Sequence, residues 1–300
     1  MPPSLFSLSG LFPPVPTPFK DNGDVAFDQL QGNLEKLNQQ PLSGYVMGGS
    51  NGEFTSLTND EKLEAVRLAR QVAPKDRLII AGSGLESTRA TVALTKQMAE
   101  AGADVAIVVT PGYFKARMTA AALEAHYREV AEAAALPIML YSVPANTGVD
   151  LPAAAVAKLA AHPNIIGLKD SGGDITKIGQ MVNDTPRDFQ ILAGSAGFLL
   201  PALAVGAVGG VVALANIAAT PLHQMMTKFQ QGDLAGARAI HLPLIEVNTA
   251  ITARFGVAGL KAAMDMLGYS GGAPRLPLLP LGEDERATLR GILQKAKLLA

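Results

Sequence analysis

Three short segments of this 300-residue chain hold residue types that could do chemistry. One is Asn164-Ile165-Ile166-Gly167-Leu168-Lys169-Asp170-Ser171-Gly172-Gly173. A lysine ending an apolar run either snorkels to water or sits in a cavity mouth, and burial favours the neutral, nucleophilic amine. Imine formation with a ketone requires such a lysine, and Lys169 is the candidate. The competing reading is a rim lysine paired on the surface with Asp170. A second segment is Tyr141-Ser142-Val143-Pro144-Ala145-Asn146-Thr147-Gly148. There the phenol of Tyr141 could pass a proton to or from a substrate oxygen, or could simply anchor a rim. The third is Gly48-Gly49-Ser50-Asn51-Gly52-Glu53. Its glycines permit a tight turn with exposed N–H groups, and Ser50 and Asn51 add donors, so it could hold a carboxylate or phosphate oxygen. A plain tight turn explains the glycines equally well.

Other chemistries find little support. The cysteine count is 0, which removes disulfides, thiolate nucleophiles and cysteine-ligated metals. His126, His162, His223 and His241 lack ligand-spaced acids or histidines and read as surface or helix-packing residues, so neither a metal nor any other cofactor is expected. No nucleophile elbow, Walker loop or dinucleotide fingerprint stands in the required context. A formal net charge of -1 with no basic run argues against a nucleic-acid partner. The opening Met1-Pro2-Pro3-Ser4-Leu5-Phe6 has neither a signal-peptide nor a transit-peptide pattern, so a cytoplasmic location is expected. The apolar stretch Phe198 to Ala219 is interrupted by Pro201, Gly206, Gly209 and Gly210. It reads as a buried helix, a turn and a strand rather than a membrane span.

Short and near-continuous apolar runs alternate with amphipathic segments, as in a parallel sheet covered by helices. The expected strands are Gly10 to Val15, Gly44 to Met47, Leu78 to Ala81, Val105 to Val109, Ile138 to Tyr141, Ile165 to Leu168, Gln190 to Ala193 and Gly209 to Leu214. Expected helices include Asn59 to Val72, capped by Thr58, and Thr88 to Ala101, ended by Gly102. Eight such units predict a (β/α)8 TIM barrel, a fold of about 250 residues whose active site lies at the C-terminal ends of the strands. Hydrophobic residues at 48% and charged residues at 17% suit a continuous core. Residues 1–220 are expected to form the barrel, and residues 221–300 a C-terminal helical extension packed on it, with one Gly/Pro-rich loop at Gly271 to Pro280.

Taken in order, Gly-Ser-Asn-Gly-Glu, Tyr-Ser-Val-Pro-Ala-Asn-Thr-Gly and Gly-Leu-Lys-Asp-Ser resemble the dihydrodipicolinate synthase and N-acetylneuraminate lyase superfamily, from about Leu11 through the C-terminal helices. The resemblance implies that Lys169 is the Schiff-base lysine, Tyr141 the proton shuttle, and Ser50 and Asn51 the holders of a pyruvate-type carboxylate. It also implies that Tyr113, in Thr110-Pro111-Gly112-Tyr113-Phe114, reaches across a subunit interface to complete a neighbour's proton relay. A homo-oligomer, a tight dimer usually paired into a tetramer, follows from that.

Two departures point within the superfamily. Dihydrodipicolinate synthases carry an arginine after the Val-Pro of the tyrosine motif to grip the carboxylate of aspartate semialdehyde, whereas this chain has Asn146. They carry paired threonines in the carboxylate loop, whereas this chain has Ser50 and Asn51. Losing a bidentate guanidinium forfeits charge-assisted hydrogen bonds of about 1.5 to 3 kcal/mol. The closest resemblance is therefore to 4-hydroxy-2-oxoglutarate aldolase, and cleavage of that acid to pyruvate and glyoxylate is the expected reaction. Ser171 and Asn146 are the expected holders of the distal carboxylate, ahead of Lys115 and Arg117. The alternatives are a dihydrodipicolinate synthase, an aldolase or dehydratase for 3-deoxy-2-oxo sugar acids and, from a different class, a catalytically silent barrel used for binding.

Overall fold

The computed structural model describes residues 6–299; the reading made on residues 1–5 lies outside them. Eight parallel strands form one sheet: β1 (Gly10–Phe12), β2 (Gly44–Met47), β3 (Leu78–Gly82), β4 (Val105–Val109), β5 (Ile138–Ser142), β6 (Ile165–Asp170), β7 (Gln190–Ala193) and β8 (Gly209–Val211). Their order is β1-β8-β7-β6-β5-β4-β3-β2. The sheet closes where Val46 donates its N–H to the Pro13 carbonyl and accepts from Val15 N–H, each at 3.0 Å. This is the (β/α)8 barrel that the alternating pattern predicts.

Strand β1 is shorter than expected because Pro13 and Pro14 have no N–H to give a ladder, so regular pairing stops at Phe12. The helix Asn59–Val72 begins as expected. The Thr58 hydroxyl accepts from Glu61 N–H at 3.2 Å, and the Glu61 carboxylate accepts from Thr58 N–H at 2.8 Å. Helix Thr88–Glu100 is capped by Ser87, and Gly102 follows it at φ +96°. The apolar stretch near residue 200 resolves into the helix Leu199–Ala204, a turn at Gly206 and β8. No helix among the described residues is long and apolar enough to cross a membrane.

Apolar packing divides into two layers. Phe12, Val46, Ile80, Ile107, Met139 and Leu192 fill the barrel interior. The residues between them along each strand, such as Ala106, Val108, Ile138 and Leu140, pack outward against the helices. The period of two that separates these sets is that of a strand covered on both faces. After β8, the helix Ala215–Gln230 closes the barrel, and Leu234–Thr249, Gly256–Met266 and Glu283–Lys295 form the C-terminal helical extension.

Candidate active site

Tyr141 and Lys169 belong to the inward-facing set and stand opposite each other across β5 and β6. A single irregularity makes them partners. Ile138 pairs with Ile165, but Met139 pairs with Gly167, so β6 gains one residue before its C-terminal half. Without that bulge, Tyr141 would face Leu168, and the lysine would fall out of step with it. Strand β6 continues through Lys169 and Asp170, two residues beyond the expected end.

Lys169 and Tyr141 are 3% and 6% exposed. The Lys169 Nζ lies 4.0 Å from the centroid of the Tyr141 ring, within cation–π range. The Tyr141 hydroxyl lies 3.3 Å from Ser50 Oγ. Burial raises the affinity of this phenol for its proton, but the Lys169 charge and hydrogen bonding from Ser50, Lys169 and Ser171 outweigh it. The phenol is thereby held below the ordinary tyrosine value.

The rim-pair reading of Lys169 fails on geometry. Asp170, fully buried, turns away to accept from Lys177 Nζ at 3.1 Å and from the Gly172 N–H at 2.9 Å. Lys177 also pairs with Asp150 at 2.5 Å, and Asp150 accepts from the Ser142 hydroxyl. The acid beside Lys169 is thus committed to another cation, which fixes the end of β6 and leaves the Lys169 amine to the barrel mouth.

The glycine-rich segment after β2 forms a 3₁₀ turn, Ser50–Gly52. Gly48 sits at φ +64°, and at Gly82 on β3 a Cβ would come within 2.0 Å of the Gly48 carbonyl oxygen, so neither position accepts a side chain. Gly48, Gly49 and Ser50 therefore line the inner pocket with Tyr141 and Lys169. Asn51 lies on the same turn but not on that wall. Ser171 follows β6 and joins the group through its action on the Tyr141 hydroxyl.

Tyr113 and Asn146 are not brought to the amine. Both line a wider cavity of about 770 Å³ outside it, with Ser50 and Phe54 on the border between the two spaces. Tyr113 is 79% exposed and packs edge-on to Phe114 at 5.0 Å. Asn146 lies on the short helix Pro144–Thr147. Lys115 and Arg117 are exposed on the β4 loop, and the Lys115 side chain lies against Gly148. Of the histidines, His241 bonds the Ala196 carbonyl at 2.7 Å, and His126 bonds the Thr88 hydroxyl at 2.9 Å. Burial pushes the His126 pKa down to about 4.

Four participants escaped the sequence reading. Phe54 and Lys62 line the outer cavity, Glu86 accepts from the Gly112 and Tyr113 N–H groups, and Thr110 bonds Thr147 across two strand ends. Lys62 alone had a signal. It shares helical spacing with Ala65, Val66 and Ala69, so it is a cation on a buried face.

With this geometry in hand, comparison with known proteins fixes the family. The profile of the dihydrodipicolinate synthetase family matches residues 7–296. The chain belongs to that family. Its relatives include the 4-hydroxy-tetrahydrodipicolinate synthase of Methanothrix thermoacetophila, 36% identical over 287 residues, covering 95% of this chain and 96% of that protein. The synthase of Bacillus subtilis is 32% identical over 280 residues, covering 93% and 96%. Among solved structures, dihydrodipicolinate synthase from Bacillus anthracis superposes with a TM-score of 0.93 at 32% identity, covering 97% and 99%. The Acinetobacter baumannii synthase, determined in complex with pyruvate, gives 0.93 at 31% identity, covering 98% and 100%.

These findings overturn the expected 4-hydroxy-2-oxoglutarate aldolase. The relatives are consistently synthases, including those of Exiguobacterium and Archaeoglobus fulgidus. The error has a physical source. Asn146 lines a wide cavity that Lys62 also lines, so the lack of a guanidinium there does not leave the cavity without a cation. What membership does establish is the enzyme class: a pyruvate-dependent carbon–carbon lyase of the class I aldolase type.

Proposed function

We propose that this enzyme is a 4-hydroxy-tetrahydrodipicolinate synthase, condensing pyruvate with aspartate semialdehyde through a Schiff base on Lys169. The observation that supports the Schiff base is the Lys169–Tyr141–Ser50 constellation, a buried amine 4.0 Å from a phenol ring whose hydroxyl meets the Ser50 turn, and the synthase relatives support the choice of second substrate. The neutral amine adds to the pyruvate C2 carbonyl, and loss of water gives an iminium. Loss of a C3 proton gives the enamine, whose C3 attacks the aldehyde carbon of the second substrate. Tyr141 delivers the proton to the new alkoxide, which becomes the 4-hydroxyl. The semialdehyde's own amine then attacks C2 and expels Lys169, closing the ring.

In this reading Ser50 and Asn51 hold the pyruvate carboxylate and keep C2 within reach of the amine. Ser171 and Asn146 face the second substrate. Tyr113, exposed beside Phe114, completes the relay of a neighbouring copy, which makes the working form a homo-oligomer, a dimer or tetramer in the cytoplasm.

Borohydride reduction in the presence of pyruvate tests the core of it. A permanent mass addition should map to Lys169, and product should form when aspartate semialdehyde is supplied instead of borohydride. An adduct on another lysine, or none, refutes the Schiff base and favours a silent barrel. An adduct on Lys169 without condensation refutes the second substrate alone.

A further inference from the structure

Glu53 is the first residue after the Ser50–Gly52 turn, and it occupies the left-handed region at φ 57°, ψ 39°. Such a conformation strains a glutamate, where glycine or asparagine would turn the chain more cheaply. The carboxylate is buried, and each oxygen has a partner from the far end of the chain. Oε1 accepts from Lys261 Nζ at 2.7 Å, and Oε2 accepts from the Arg275 N–H at 2.9 Å. Lys261, on the helix Gly256–Met266, has no exposed surface and also donates to the Ala273 carbonyl at 2.9 Å. The Lys261 amine and the Arg275 guanidinium each lie 4.4 Å from the Phe19 ring centroid. The loop from Lys261 to Arg275 closes on itself at Gly271, where a Cβ would come within 2.0 Å of the Lys261 carbonyl oxygen.

A buried ion pair is poor evidence of stabilisation, since desolvation offsets the attraction and apolar replacements of such pairs often leave stability unchanged. What it does supply is a fixed register between two parts of the chain. Here those parts are the C-terminal extension and the turn that carries Ser50. The Glu53 N–H closes the turn on the Ser50 carbonyl at 3.1 Å, and Ser50 Oγ meets the Tyr141 hydroxyl.

We propose that Glu53 and Lys261 are positioning residues for the 2-oxo acid. Anchored by the extension, they hold the Ser50–Asn51 turn at the orientation in which it receives the pyruvate carboxylate. This rests on the reading of Lys169 and the turn given above. It assigns the C-terminal helices a part in substrate binding, although none of their side chains reaches the inner pocket.

The test compares wild type with Glu53→Gln, Lys261→Met and the double variant, which leaves no buried charge unpaired between the two positions. The readouts are the pyruvate concentration giving half-maximal borohydride trapping, KM and kcat, and hydrogen exchange at the Gly52 and Glu53 amides. The double variant should fold, exchange those amides faster and require about 10- to 100-fold more pyruvate, the scale of loss expected from misplacing a reactant by about an ångström. Its kcat at saturating pyruvate should stay within a few-fold. A folded double variant with wild-type half-saturation overturns the inference, as does one that fails to fold, because the pair is then structural. Wild type that does not trap pyruvate refutes the Schiff-base reading instead. Amide exchange at Gly52 and Glu53 then decides the positioning role separately, and unchanged exchange overturns it.

Discussion

Replacing Tyr141 by phenylalanine removes one oxygen and keeps the ring that faces Lys169, so it separates the proton-transfer role from packing. The ring is buried among Val46, Met139 and Ile166, and these contacts survive the change. The lost hydroxyl leaves Ser50 Oγ without its partner at 3.3 Å, a long bond whose removal costs stability about 0.5 to 1.5 kcal/mol. Its catalytic cost is larger. A general acid–base group contributes about 10²- to 10⁴-fold, or roughly 2.7 to 5.5 kcal/mol of barrier. Tyr141→Phe should therefore melt within a few degrees of wild type and lose two to four orders of magnitude in kcat. Under saturating pyruvate it should still give the Lys169 adduct with borohydride. Stopped reactions analysed by intact mass would read trapping, and a coupled assay with aspartate semialdehyde would read turnover. Wild-type turnover in a folded Tyr141→Phe protein would mean that the phenol only anchors the rim, and the proton must then travel by another group.

Asn146→Arg places a guanidinium on the wall of the outer cavity and should lower KM for aspartate semialdehyde, by about 10-fold or more for a charge-assisted bond, without moving KM for pyruvate. An unchanged semialdehyde KM would remove Asn146 from the second substrate's path. Glu61 bonds Arg275 at 2.6 Å, and this bond above all holds its pKa down to about 2 from 4.5. The unfolded chain therefore binds more protons than the folded one between those values, so stability should fall as pH drops from about 4.5 to about 2. Glu61→Gln should flatten Tm against pH in that window, and a slope equal to wild type would assign the acid sensitivity to other carboxylates.

How much of this was legible in the sequence depends on the range of the forces involved. Strand and helix assignments follow from side-chain periodicity within a window, and Thr58 with Glu61 is a cap written in four adjacent letters. Lys169 was legible because a cation ending an apolar run has few places to go. The bulge that aligns it with Tyr141 was not, since one added residue in β6 has no local composition to mark it. Glu53 stood in a quoted motif without a role, because its partners Lys261 and Arg275 lie more than two hundred residues away. A lysine inside the apolar helix Gly256–Met266 was the trace of that contact, and a charge so placed has to find a counter-charge.

The misjudged reaction has the same cause seen from the other side. Asn146 was weighed as though one residue type fixed the distal recognition, a chemical argument that is sound only when the position faces the substrate and nothing else nearby can substitute. In the folded chain that residue shares a cavity of about 770 Å³ with Lys62, while Lys115 lies against Gly148 beside it. Electrostatic recognition of a carboxylate depends on the summed field in the cavity as much as on the charge at one position. Lys62 does not neighbour Asn146 in sequence, and the fold alone brings the two to one cavity. The placement of Lys169 at the end of a buried strand follows from its own apolar run and could be read from one segment. The residues that select the second substrate act through shared space, which only the assembled barrel defines.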